Sequence, residues 1–170
     1  MTIRLICPAP PGTMHGNRVT ALRWARVLRG FGHRAVIAQQ WGGERCDVLV
    51  ALHARRSSDA AIAFHDAHPD RPLIIALTGT DVYHDIHHDP RARQVLDFAT
   101  RVTVLQPLAI QQLPEHIRER ARVIYQSVAP TTGRAGLSGG HFDVCVAGHL
   151  RQVKDPFRAA AASRLLPESS

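Results

Sequence analysis

The chain has 170 residues, 45% of them hydrophobic, which suffices for one packed domain of ordinary size or for one domain and the beginning of another. Its formal net charge of +7 is almost wholly arginine, since Lys154 is the only lysine; the arginines are spread along helical segments without interleaved exposed aromatics, which argues against a nucleic-acid partner. No apolar run approaches the roughly 18 residues of a membrane span and no long apolar leader opens the chain, so a soluble, cytoplasmic protein with no membrane partner is expected.

Residues 3–7 (IRLIC) have the length and content of a buried strand. A Pro/Gly-rich loop follows over residues 8–18, and Asn17 is positioned to cap a helix whose apolar residues Val19, Leu22, Ala25, Leu28 and Phe31 recur at threes and whose end is marked by Gly32. Residues 34–38 read as a second strand, and residues 46–52 (CDVLVAL) as a central parallel strand buried on both faces. His53, Ala54, Arg55 and Arg56 come next, before a helix capped by Ser57 or Ser58 that runs to about His68. Residues 73–77 (LIIAL) form a strand that leads into Thr78-Gly79-Thr80-Asp81, and the histidine-rich residues 84–89 read as a loop before a helix over 90–98. A strand over 102–105, a helix begun by Pro107 and a strand over 122–125 complete the series. The three dispersed cysteines, Cys7, Cys46 and Cys145, lie in or beside these apolar runs and read as buried thiols, not as bridges or zinc ligands.

Strands alternating with helices at this spacing imply right-handed βαβ units, an α/β fold with a parallel sheet, and a ligand crevice at the C-terminal ends of the strands. Residues 129–141, rich in Gly, Pro, Ser and Thr, read as a linker between a first domain over 1–128 and a second β–loop–α unit over 142–170, with a buried strand at 142–148 and a helix from Pro156 to about Leu166. One strand and one helix cannot enclose a core, so the chain is expected to be the front part of a longer two-domain design.

Four stretches carry chemistry. The first loop holds Gly12 and Gly16 ahead of a helix, an arrangement that suits phosphate or merely solves a tight strand-to-helix connection. Thr78, Gly79, Thr80 and Asp81 can hold a sugar or polar acceptor, with Asp81 as a base, or can simply cap local structure. His84, His87 and His88 with Asp85 and Asp89 match no tetrahedral metal spacing and read as solvated, so no metal is expected. Gly148, Arg151 and Lys154 place two cations in a strand-to-helix loop, which makes a diphosphate clamp or a basic turn.

Taken together, PAPPG…GNRVTALRWARVLR, CDVLVALHARRS, ALTGTDVY, VLQPLA and VIYQS…HLRxVKDP resemble the selenosugar synthases of selenoneine biosynthesis, a branch of the nucleotide-sugar glycosyltransferases built from two facing Rossmann-like domains (the GT-B type). The resemblance implies transfer of N-acetylglucosamine or glucose from a UDP-sugar to selenophosphate, with no further cofactor. It implies that Gly148, Arg151 and Lys154 contact the donor diphosphate, while the first domain serves the acceptor. Arg18, Arg55 and Arg56 then become candidates for gripping an anionic acceptor, with Gly12, Gly16 and Asn17 lining the same wall. Thr78-Gly79 stands where many relatives carry histidine-glycine, so that histidine's role does not transfer. On this reading the 170-residue chain alone folds without turning over, and it awaits a C-terminal domain or a chain that supplies one. The runner-up is a non-catalytic Rossmann-like domain that binds a phosphorylated small molecule or a partner chain.

Overall fold

The computed structural model describes residues 1–128, 130, 133, 144–148, 150 and 152–166, which fall into two compact units, Met1–Val128 and Ala129–Ser170. In the first unit six short apolar runs pair as an all-parallel sheet: β1 (Thr2–Ile6), β2 (Arg34–Ala38), β3 (Val48–Leu52), β4 (Leu73–Ala76), β5 (Arg101–Val104) and β6 (Ala121–Val123), in the order β2-β1-β3-β4-β5-β6. Ile3 lies opposite both Ala35 and Val48, and Ile75 opposite both Ala51 and Val102, so the register runs unbroken across the sheet. The fold is a Rossmann-like α/β sheet flanked by helices. Among the described residues no helix is long and apolar enough to cross a membrane.

The helices are α1 (Gly16–Gly30), α2 (Ser58–Ala67), α3 (Ile86–His88), α4 (Pro90–Phe98) and α5 (Glu115–Arg118), with a 3-10 turn over Pro107–Gln112. Alternate strand residues point to opposite faces and enter two cores. Leu5, Cys7, Val50 and Leu52 pack with Ala21 and Ala25 of α1, whereas Leu49, Ala51, Ile75 and Val102 pack with Phe64 of α2 and with Val95 and Leu96 of α4. Because β1 lies between β2 and β3, the chain reverses its direction of travel there, and right-handed crossovers then send α1 to one face and the later helices to the other. The crossing from β2 to β3 uses no helix. Trp41 anchors it, packing edge-on against Phe64 with ring centroids 5.5 Å apart.

Several expectations need correction. The buried stripe of α1 is Thr20, Ala21 and Ala25, with Trp24 and Leu28 packed beside it, while Val19, Leu22 and Phe31 are exposed. A repeat of three drifts around a helix of 3.6 residues per turn, and only Ala25 and Leu28 lie on both stripes. His15, not Asn17, occupies the N-cap of α1, and it makes no side-chain cap. Residues 84–89 are not a loop: Asp81–Asp85 form a π turn that runs into α3. The segment from Pro107 is a 3-10 turn whose first amide, at Leu108, is capped by the Gln106 side chain. Gly32 does end α1, with φ at +79° and the His33 N–H donating to the Leu28 carbonyl at 3.0 Å.

In the second unit a 3-10 turn covers Gln152–Lys154 and helix α6 covers Arg158–Ser163, shorter than the helix expected from Pro156. Phe142 and Asp143 of the expected strand lie outside the described residues. Val144, Cys145, Val146 and Ala147 are exposed and form no strand, so Cys145 is not a buried thiol. An apolar run becomes a strand only when another strand satisfies its amides, and among the described residues Val144–Ala147 have no such partner.

Candidate functional site

Four loops leave the C-terminal ends of β1, β3, β4 and β6. In the first, Pro10, Pro11, Gly12 and Thr13 make a tight turn: Gly12 sits at φ +79°, and the Thr13 hydroxyl and amide both donate to the Pro10 carbonyl, at 2.8 and 3.4 Å. Gly16 begins α1, and a Cβ there would meet open space, so its glycine is not required for packing. Arg18, one turn into the helix, is half-buried. Its Nε is shielded from solvent and has no hydrogen-bond partner among the described residues. Burial raises the Cys7 thiol above its ordinary value, and a backbone hydrogen bond with Ala9 and the Arg18 charge only partly offset this.

The β3 loop is held more tightly. His53, the first residue after the strand, is 4% exposed and has left-handed backbone at φ +73°, uncommon for a residue with a side chain. The Ser57 hydroxyl donates to the Leu52 carbonyl at 2.7 Å and closes the turn. Arg55 then reaches sideways, its Nε 3.0 Å from Asp89 and its Nη1 4.0 Å from Asp85. The Asp89 carboxylate also caps α4 by accepting the Arg91 and Ala92 amides, and these contacts together hold it below its ordinary carboxylate value. Arg56 forms no ion pair among the described residues and lines a cavity of about 150 Å³ with Pro8, Gln39, Gln40, Ser57 and Asp59, whose carboxylate pairs with Arg91. That cavity lies where β1 separates β2 from β3, the place where open α/β sheets leave their ligand crevice.

The β4 loop is joined to the β3 loop by Asp81. Its carboxylate is fully buried and accepts three main-chain amides: Thr78 at 2.9 Å, Gly79 at 2.8 Å and, across the loops, Ala54 at 3.2 Å. Gly79, at φ +147°, supplies a backbone conformation that side chains rarely adopt, and Thr80 stands exposed at the start of the π turn. That turn brings Asp85 to the same side as Asp81, so the His53 ring lies between two carboxylates, with Nδ1 3.9 Å from Asp81 Oδ2 and Nε2 3.8 Å from Asp85 Oδ2. Burial nevertheless lowers His53 below its ordinary value; Asp81 and Asp85 pull it up, and Arg56 and Arg55 push it further down. In the fourth loop, Gln126 donates to the Thr20 hydroxyl at 3.1 Å and Ser127 accepts from Arg23 at 3.0 Å, which ties the end of β6 to α1.

The sequence-derived residues therefore divide into groups. Gly12, Gly16, Asn17 and Arg18 share the first loop and the opening turn of α1, while Arg55, Arg56, Thr78, Gly79, Thr80 and Asp81 lie on two loops pinned together. Gly148 and Lys154 belong to the second unit, and Arg151 lies outside the described residues. Two residues were named without this role, His53 within the β3 loop and Asp85 within the histidine-rich run, because no local signal shows that the two segments meet.

A larger hollow of about 390 Å³ lies between α3 and the segment before α5. Its arginines are held by backbone carbonyls, Arg93 by those of Ile86 and His87 and Arg118 by those of Leu113 and Gln111, and the hollow lies away from the crevice beside β1. Among the described residues no three His, Cys, Asp or Glu side chains converge as metal ligands. No protein-family model and no curated protein sequence matches the chain.

Proposed function

We propose that Met1–Val128 is the acceptor side of a glycosyltransferase that moves N-acetylglucosamine or glucose from a UDP-sugar to selenophosphate. The motif resemblance supports the reaction class, and one structural observation supports an anionic acceptor. Around the switch strand β1, Arg18 keeps a shielded Nε without a partner among the described residues and Arg56 forms no ion pair among them, since Asp59, which lines the same cavity, is paired with Arg91. Cations left uncompensated at the C-terminal edge of a parallel sheet suit a small dianion. A cavity of about 150 Å³ is also closer to a tetrahedral oxyanion than to a nucleotide sugar, whose sites span about 300 Å³ and more.

In the proposed reaction selenium attacks the anomeric carbon, a carbon–selenium bond forms, and the bond to the diphosphate oxygen breaks with its electron pair leaving on UDP. A selenium nucleophile already carries negative charge, so the step draws little on a general base. Asp81, whose oxygens are occupied by three amides, then serves as a positioning residue that joins the β3 and β4 loops. The donor diphosphate is attributed to Gly148, Arg151 and Lys154 on the resemblance alone.

Calorimetry on the 170-residue chain tests the reading. Phosphate, as a stable stand-in for selenophosphate, is expected to bind, and Arg56→Ala or Arg18→Ala is expected to weaken it by about tenfold, the loss of one charge-assisted contact. Micromolar binding of the UDP-sugar with no response to phosphate would overturn the allocation of acceptor and donor. The reaction itself is tested by mass spectrometry of mixtures with selenophosphate and each UDP-sugar, in the presence of a chain carrying the remaining donor site.

A further inference from the structure

We propose that His53 is the positioning residue of the anion crevice: its left-handed backbone and its ring, buried between Asp81 and Asp85, fix the direction in which Arg55 and Arg56 leave the sheet. The inference rests on the anion reading above and deepens it. Three observations carry it. The backbone at φ +73° turns the chain sharply at the end of β3, and a non-glycine residue persists there only when its surroundings hold it. The turn is clamped on both sides of His53, by its own amide donating to the Ala76 carbonyl at 2.8 Å and by the Ala54 amide donating to Asp81 at 3.2 Å. Beyond the turn, the Arg56 amide faces His53 Nδ1 at 3.5 Å.

That last contact links the ring to the cation. Nδ1 accepts the Arg56 amide only when unprotonated, so the neutral ring carries its proton on Nε2, which faces Asp85. The groups around it are Asp81 and Asp85 on the π turn, His84 beside Asp85 at 3.3 Å, Asp89 through its hold on Arg55, and Arg55 and Arg56 on the loop itself. A second proton on the ring removes the acceptor of the Arg56 amide. It also gives Nδ1 a donor for Asp81, 3.9 Å away, and draws the ring off the loop that carries Arg56.

The test is a nitrogen-15 titration of the 170-residue chain from about pH 8 to about pH 5, with and without sulfate, a tetrahedral dianion that does not titrate in this range. The neutral His53 ring is expected to carry its proton on Nε2, and the Arg56 amide resonance to follow the His53 titration. Sulfate affinity at Arg56 is expected to fall by about tenfold as His53 protonates, the worth of one charge-assisted contact, because Asp81 and Asp85 on either side of the ring compensate its added charge; a rise in affinity would overturn the proposal. In His53→Asn, whose side chain tolerates left-handed backbone and accepts the amide without titrating, both pH effects should vanish while binding at high pH persists. An Nδ1-protonated neutral ring, or an Arg56 amide indifferent to the His53 titration, overturns the proposal; both readouts use the wild-type chain and need no variant to fold. Sulfate failing to bind at any pH while the Arg56 amide tracks His53 would instead overturn the anion reading and support the positioning role.

Discussion

Burial and the two flanking carboxylates act on His53 in opposite directions, and burial, aided by the Arg56 and Arg55 charges, wins and lowers it below the ordinary histidine value. In the unfolded chain the same ring protonates at its ordinary value. Between the two values the unfolded state binds the extra proton, so stability rises with pH there. The contribution is complete above the ordinary value and is lost as pH falls through the folded one, with a slope of at most about 1.4 kcal/mol per pH unit for one proton. Urea midpoints measured across this window are expected to fall with pH in the wild type and to fall less steeply in His53→Asn; parallel curves would refute a buried neutral ring. Other single residues were legible in advance. Gly32 follows the last apolar position of a helix and takes the positive φ of a C-cap, because that conformation is a local property of the chain. His53 was not legible, since its left-handed turn is imposed by the neighbouring β4 loop.

At the scale of elements, the β3 and β4 loops form one unit because Asp81 accepts amides from both. Asp81→Asn replaces one acceptor oxygen by a donor and leaves at least one buried amide unpaired, at a cost of about 1–3 kcal/mol. Chemical denaturation should show that loss in the absence of any ligand, whereas an Asp81 that acted solely as a base would leave stability unchanged on substitution. The helices show where periodicity ran out. The length of α1 and its amphipathic character followed from the sequence, but its buried side did not, because Ala21 and Ala25 bring the helix close to the sheet while bulkier Val19 and Leu22 remain in solvent. The histidine-rich residues 84–89, which the π turn and α3 share, were read as loop, since their histidines and aspartates show no apolar repeat and Ile86 alone among them joins the apolar core.

At the scale of the molecule, every buried hydrophobic residue among those described lies between Ile3 and Ala121, within the first unit. A fragment ending at Val128 is therefore expected to melt within about 4 °C of the full chain, the shift that roughly 1 kcal/mol makes in a domain of this size. A fragment that unfolds would place part of the stabilising core in the second unit. The sequence by itself determined the alternation of strands and helices, the parallel sheet and the edge on which the polar loops open, because apolar runs, breakers and caps are encoded over a few neighbouring residues. Only the tertiary structure decided the order β2-β1-β3-β4-β5-β6, the face that α1 buries and the enclosure of His53 between Asp81 and Asp85. These depend on contacts between residues far apart in the chain, where packing and the pairing of buried polar groups outweigh local preference.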